Sequence, residues 1–130
     1  LDLVGMATED VPGGLGEVIH RDLPAFEARY RFFFNPIRYT SMGLAVIEAM
    51  MVGLPIVGLA TTEMATAIRN GESGFVDTDP ARLIEAMRGL LADPGEARRL
   101  GEGARRHALE RFGIQRFVND WNAAFAAACG

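Results

Sequence analysis

Glu48 is the side chain with most to explain in this sequence. It is the only charged residue between Arg38 and Glu63, and it lies inside an almost wholly apolar stretch running from Met42 to Val52. A carboxylate buried without partners is costly, so its presence there asks for a structural ion pair or for a ligand. A capping-box role is excluded, because the third position after Thr40 is Gly43 and the third after Ser41 is Leu44. Just ahead lies the loop Asn35 to Ser41. Thr40 or Ser41 can cap the following helix, and Gly43 lets the backbone come close to a ligand. The free amides of the first helical turn then form an anion site that the helix dipole favours. Arg38 can add a charge-assisted contact to a phosphate. An ordinary capped helix with an exposed arginine accounts for the same loop, and these residues alone leave both readings open.

The elements needed to hold such a site follow from the apolar pattern. Short apolar runs alternate with longer amphipathic stretches, which predicts α/β layering. Leu1 to Val4 reads as a first strand, Pro12 to Gly16 as a glycine-rich loop, Glu17 to His20 as a short strand and Leu23 to Tyr30 as a short helix. Phe32-Phe33-Phe34 has the continuous apolar character of a strand buried on both faces, and Asn35-Pro36 ends it. A helix from about Met42 to Val52, apolar nearly all round, reads as buried, with Gly53 as its terminator. Pro55 to Leu59 is the next strand, with proline tolerated at its first position. Met64 to Arg69 forms a short helix that ends at Asn70-Gly71, and Gly74-Phe75-Val76 is the last strand. Asp79-Pro80 and Asp93-Pro94 are helix-start signals. The first leads a face of Leu83, Ile84, Met87, Leu90 and Leu91, and the second a face of Ala97, Leu100, Ala104 and Ala108. Gly113 breaks that second helix, and Ile114, Phe117, Val118, Trp121 and Phe125 mark a final amphipathic one whose aromatic spacing reads as core packing.

Composition narrows the chemistry. The 130 residues suffice for one domain with a sizeable core, and just under half are apolar. The net charge of −4 with no basic block argues against nucleic acid or an acidic membrane surface as partner. All 13 cationic side chains are arginines, so a Walker-type phosphate loop and a pyridoxal Schiff base, which need lysine, are excluded. Cys129 is the single cysteine, which suits a reducing compartment, and the expected location is the cytoplasm. No apolar run is long enough to span a bilayer, and nothing resembles a signal peptide. His20 and His107 are far apart and lie in no metal-ligand pattern. His20 reads as a loop or strand-end residue within reach of the cleft, and His107, with Arg105 and Arg106, as a solvated helix face. Gly13, Gly14 and Gly16 do not complete a dinucleotide fingerprint. The opening Leu1-Asp2-Leu3-Val4-Gly5 reads as a strand already running, as in a fragment truncated on its N-terminal side.

Two segments carry a family resemblance. Asn35-Pro36-Ile37-Arg38-Tyr39-Thr40-Ser41-Met42-Gly43-Leu44-Ala45-Val46-Ile47-Glu48-Ala49-Met50, continued by Gly53-Leu54-Pro55-Ile56-Val57, resembles the retaining GT-B glycosyltransferases of family 4. Their pattern is a small residue, Gly-Leu, a glutamate four residues after the leucine, Ala-Met, then Gly-x-Pro-Val-Val. Asn70-Gly71-Glu72-Ser73-Gly74-Phe75-Val76 resembles the same family's Asn/Asp-Gly-x-x-Gly-Phe/Leu-Val turn. The resemblance implies a three-layer, Rossmann-like α/β domain with a mainly parallel sheet and C-terminal helices. This is half of a GT-B fold and would occupy all of residues 1–130 as one donor-binding domain. Glu48 matches the glutamate that holds the donor ribose, and one carboxylate can accept from two vicinal hydroxyls. Met42, Gly43 and Leu44 match the helix start whose amides meet the donor diphosphate.

The departures are specific. The family's other glutamate, eight positions before Glu48, is Thr40 here, and its Gly-Gly-x-Pro-Glu segment is replaced by Thr62-Glu63-Met64-Ala65-Thr66. The family's basic pair for the diphosphate falls before Leu1, which leaves two readings: Arg38 partly substitutes for it, or the pair has been cut away. The implied activity is transfer of a hexosyl or related sugar from a nucleotide-diphosphate donor with retention, with no metal and no cofactor. An N-terminal domain of the same polypeptide would hold the acceptor, so this segment alone is expected to be inactive. Two alternatives stay open: a non-catalytic nucleotide-binding or scaffold module, for which Thr40 speaks, and another GT-B enzyme such as a sugar-nucleotide epimerase.

Overall fold

The computed structural model describes residues 1–129. Its elements run α1 (Leu23–Glu27), β1 (Phe33–Asn35), α2 (Leu44–Val52), β2 (Ile56–Leu59), α3 (Met64–Ala67), β3 (Gly74–Asp77), α4 (Pro80–Ala92), α5 (Pro94–Phe112) and α6 (Ile114–Cys129). The three strands form a parallel sheet in the order β1-β2-β3, with Phe34 opposite Val57 and Val57 opposite Phe75. Side chains alternate across it. Phe33, Ile56 and Val76 pack with α2, α3 and the second half of α5, whereas Phe34, Val57 and Phe75 pack with α4 and the start of α5. Helices therefore cover both faces, and the fold is three-layer α/β as the sequence pattern requires.

The local signals explain most boundaries. Asp79 accepts from the Ala81 amide at 2.9 Å, and Asp93 accepts from the amides of Gly95 and Glu96 at 2.8 and 3.0 Å. Each aspartate satisfies donors that the first helical turn leaves free, and Pro80 and Pro94 have no donor to lose. Gly53 ends α2 in a left-handed conformation (φ 99°), and its amide meets the Ala49 and Met50 carbonyls. The Asn70-Gly71 turn works through its asparagine. Asn70 Oδ1 accepts from the Val76 amide at 2.6 Å and its Nδ2 donates to the Val76 carbonyl at 3.0 Å, so one side chain stands in for a neighbouring strand.

Several expectations are corrected. Leu1 to Val4 is not a strand; Leu3 makes only an isolated bridge to Gly14, and Glu17 to His20 is not a strand either. Helix α1 stops at Glu27 rather than Tyr30. Phe32, Phe33 and Phe34 are half-buried, because β1 is the sheet's edge and β2 is the strand enclosed on both sides. Helix α2 is not buried all round: Val46, Ala49 and Met50 face the core, while Leu44 is 75% exposed. His107 is buried, not solvated. It follows Ala104 by three positions and Leu100 by seven, so it shares their inward face. Burial first, then the nearby Arg69 charge, holds its imidazole below the usual histidine range. Helix α6 buries no side chain, so its aromatic stripe is not core packing. Phe117, Trp121 and Phe125 instead stack on one another along the surface, with ring centroids 6.1 and 5.3 Å apart.

Helix α2 is held against α5 by close backbone contact at glycines. A Cβ on Gly101 would come within 2.0 Å of the Gly53 carbonyl oxygen, whereas one on Gly89, inside α4, would meet nothing. Gly101→Ala therefore overpacks the contact and lowers stability by about 2 kcal/mol or more. Gly89→Ala raises it by about 0.5–1 kcal/mol, as alanine replaces glycine in an open helix position. Urea unfolding of the two variants should give midpoints displaced in opposite directions.

Candidate functional site

Because β1 and β2 run parallel, their carboxyl ends open on the same edge of the sheet, and the loops 36–43 and 60–63 leave from there. Ligands of open α/β sheets bind beyond this edge. Asn35, the last residue of β1, is buried, and its Oδ1 turns the chain by accepting from the Ile37 amide at 3.3 Å. Two hydroxyls tie the loops together: Thr61 donates to the Ile37 carbonyl at 3.3 Å and Thr62 to the Thr40 carbonyl at 2.7 Å. Arg38, Thr40 and Ser41 are exposed, and Arg38 enters no ion pair among the described residues.

The start of α2 departs from expectation in one respect. Neither Thr40 nor Ser41 caps it, and the helix begins at Leu44 rather than Met42. Gly43 is the N-cap, in extended backbone (φ −73°, ψ 152°) and with no side chain to offer. Met42 turns inward and packs against the α2 core cluster, which draws the cap two residues past Ser41. The Val46 amide is taken up by the Gly43 carbonyl at 3.2 Å, but among the described residues no acceptor partners the amides of Leu44 and Ala45. A side-chain cap would have consumed one of them. With Gly43 in that place, both point outward at the positive end of the helix dipole.

Glu48 follows Leu44 by about one turn. Its side chain is 35% exposed, so it is not the buried carboxylate the apolar context suggested. The exposed side of α2 is itself apolar, and Ile47, Met51 and Val52 line one wall of a cavity of about 670 Å³ with Glu48 among them. Leu23, Pro24 and Ala28 form the opposite wall, and Arg105 closes it by donating to the Met51 carbonyl at 2.7 Å. His20 stands at the mouth, with Nδ1 3.7 Å from Glu48 Oε1 and its own side chain 84% exposed. An ion pair this open contributes little to folding. Arg38 to Leu44 lie outside this cavity, so the structure sets Glu48 apart from the helix start along one helix rather than in one pocket.

The same cavity contains an acid that the sequence reading passed over. Glu27 is only 7% exposed, and among the described residues its Oε2 has no hydrogen-bond partner. Burial first, then the charge of Glu48, pushes its carboxyl up to about 7. The available signal was helical phase: Leu23 and Glu27 are four apart and share the face that α1 turns to α2. Between the ordinary value of 4.5 and about 7 the folded chain holds a proton that the unfolded chain has lost. Stability therefore falls as pH rises through that window, and the penalty is complete above it. It amounts to on the order of 2–3 kcal/mol. Glu27→Gln should lose this dependence: urea midpoints at about pH 5 and about pH 8 should converge in the variant and separate in the wild type. Equal separations would show that Glu27 titrates normally.

Among the described residues no group of three or more His, Cys, Asp or Glu side chains is placed to hold a metal ion, and no helix is long and apolar enough to cross a membrane. Comparison with known proteins gives a consistent result. The family described as glycosyl transferases group 1 matches residues 13–93, from the loop before α1 to the end of α4. A D-inositol 3-phosphate glycosyltransferase 1 of Catenulispora acidiphila is 37% identical over 124 residues, which are 88% of this chain and 29% of that protein. A D-inositol 3-phosphate glycosyltransferase of Streptomyces bingchenggensis is 39% identical over 89 residues, covering 67% of this chain and 18% of the relative. The chain thus spans less than a third of the length of these relatives. Among solved structures, sucrose-phosphate synthase from Thermosynechococcus elongatus superposes with a TM-score of 0.72 at 26% identity, over 88% of this chain and 30% of that one. Anabaena Alr3699/HepE, solved in complex with UDP-glucose, superposes with a TM-score of 0.76 at 19% identity, over 88% and 32% of the two chains. At that identity the second likeness speaks to the Rossmann-like fold alone. With more than half of its residues matched by the family's pattern, the chain belongs to the glycosyl transferases of group 1.

Proposed function

We propose that this chain is the nucleotide-sugar-binding domain of a retaining glycosyltransferase, which moves a hexosyl or related sugar from a nucleotide-diphosphate donor to an acceptor. One observation carries the reading. The unpartnered amides of Leu44 and Ala45 begin α2, the exposed Arg38 lies in the loop that leads into it, and the carboxylate of Glu48 stands about one turn further along the same helix. The amides and the guanidinium suit a diphosphate, and the carboxylate suits the two hydroxyls of a ribose. The glycosyltransferase relatives support the choice of ligand. The chemistry asks nothing of a metal or cofactor. The acceptor, and any group that acts on it, come in this proposal from an N-terminal domain of the same polypeptide. The residues 1–130 by themselves then show no transfer, because one wall of a two-domain cleft neither orients the sugar nor excludes water. The proposed compartment is the cytoplasm.

A non-catalytic nucleotide-binding module is the second reading. The exposed Thr40, standing where the family pattern has a glutamate, favours it. Another GT-B enzyme such as an epimerase remains a third. Assays of donor hydrolysis, sugar transfer and epimerisation on the uncut protein separate the three.

Calorimetric titration with UDP, GDP and ADP, each with its 2′-deoxy analogue, tests the assignment. Glu48→Gln should weaken the ribonucleotide by roughly ten- to a hundredfold, the worth of a charged hydrogen bond of about 1.5–3 kcal/mol. It should also remove most of the preference over the deoxy form. Its folding stability should barely change or should rise, since what is lost is the open contact with His20 and the repulsion between Glu48 and Glu27. Arg38→Ala should cost about tenfold or more toward the diphosphates and much less toward the free nucleosides. A wild type that does not distinguish ribose from deoxyribose, with a Glu48 variant that merely melts earlier, would make Glu48 structural.

A further inference from the structure

The loop that follows β2 holds a conformational anomaly at the same edge of the sheet. Thr62 has a φ of +48°, in the left-handed region. Among the described non-glycine residues only Ala7 shares this region, and a β-branched side chain tolerates it least. In the family pattern the position belongs to the first glycine of Gly-Gly-x-Pro-Glu, the residue type for which this region carries no steric cost. Strain of this kind persists only where the surroundings impose it, and it gathers at functional sites. Here the surroundings are identifiable. The Thr62 hydroxyl donates to the Thr40 carbonyl at 2.7 Å, a bond that glycine cannot make.

We propose that Thr62 is a positioning residue, a clasp whose strained backbone and hydroxyl hold the loop 36–43 so that the Leu44 and Ala45 amides face the donor diphosphate. The inference rests on the donor-site reading given above. The loop has few other ties. Residues 36–41 are exposed, and besides the Thr62 bond they are held by Asn35 Oδ1 at the Ile37 amide and by the weaker Thr61 bond to the Ile37 carbonyl, at 3.3 Å each. Both of those act at the start of the loop. Among the described residues the Thr62 bond is the one hydrogen bond near its end, three residues before the Gly43 cap, and it acts beside the packing of Met42 against the core cluster. The loop after β2 is in turn anchored behind Thr62, where the Met64 amide donates to the Thr61 carbonyl at 3.1 Å and the Met64 side chain is buried. Strain at Thr62 is therefore transmitted to Thr40 rather than relieved by movement of its own loop. The clasp reaches the backbone of Thr40 and leaves that residue's side chain free.

Three variants test this: Thr62→Gly, which keeps the backbone shape without strain or hydroxyl, Thr62→Ser, which keeps the hydroxyl, and Thr62→Val, which keeps the branching. Thr62→Gly should melt no earlier than the wild type, yet amide hydrogen exchange from Tyr39 to Ala45 should quicken by about tenfold or more and UDP affinity should fall by a similar factor. Thr62→Ser should stay within about threefold of the wild type in both readouts, and Thr62→Val should resemble glycine in exchange while losing stability. A merely structural residue would move exchange and melting together. Unchanged exchange in Thr62→Gly overturns the clasp. Faster exchange in a chain whose wild type binds no UDP, GDP or ADP keeps the clasp and sinks the donor reading instead.

Discussion

The parallel pairing of β1 with β2 is the constraint on which the rest depends. Parallel strands put both carboxyl ends on one edge, and only then do the loops 36–43 and 60–63 meet. The pairing is narrow. A Cβ on Gly58 would lie 2.9 Å from the Asn35 carbonyl oxygen and 2.9 Å from Met64 Cε, so any side chain there would push α3 or the end of β1 away. The same edge carries the start of α2, because the helix must return over the sheet to reach β2. Its far end is fixed by Gly53, whose carbonyl lies against Gly101 of α5. Helix α2 is thus pinned at its C-terminus by close packing, and at its N-terminus it is held by hydrogen bonds between loops. That asymmetry suits a site whose floor is rigid and whose anion-facing end is set by polar contacts.

What the sequence made legible were the features whose cause is local. Aspartate followed by proline can do little other than start a helix, and both such pairs do. The Asn70-Gly71 turn and the glycine after α2 are backbone requirements that one residue satisfies. Features that depend on what lies beside an element were less legible. The three phenylalanines before Asn35 look enclosed because they are apolar, yet β1 has a neighbour on one side only. The stripe on α6 has the periodicity of a packed face, and periodicity cannot say whether anything within residues 1–129 covers it. His107 was readable from its phase with Ala104 and Leu100, but the two arginines that precede it have the character of the outer face.

The carboxylates were misread in a related way. The apolar neighbours of Glu48 in sequence suggested burial, although Ile47, Met51 and Val52 among them line the cavity wall. Glu27 has the polar and aromatic neighbours of a surface helix, and it is the acid that is sealed in. Sequence neighbours on a helix point in different directions, so the environment of a charge is set by residues three and four away and by the facing helix. Glu27 is buried because α1 lays that phase against α2, whereas Glu48 is 35% exposed on the cavity wall beside His20. The raised carboxyl of Glu27 follows from both facts at once, burial supplying the larger part and its neighbour the rest.

That pairing also gives the site a direction. With the carboxyl of Glu27 raised to about 7, Glu48 is the other acid on the cavity wall, and it stands roughly 6 Å along the helix from the open amide of Leu44. The N-terminal end of α2 carries the positive pole of the dipole, and Arg38, which enters no ion pair among the described residues, lies in the loop before it. In the proposed reading, a donor that is anionic at one end and rich in hydroxyls a short distance away would find both ends matched in one orientation. Reversed, it would set its phosphates against a carboxylate and its hydroxyls against amides that prefer an anion. Orientation thus follows from where charge lies along a single helix, without a contact to every part of the ligand. Threonine at position 40 leaves the anion-facing end free of a second carboxylate, so the separation of charge along α2 is sharper in this chain than the family pattern would make it.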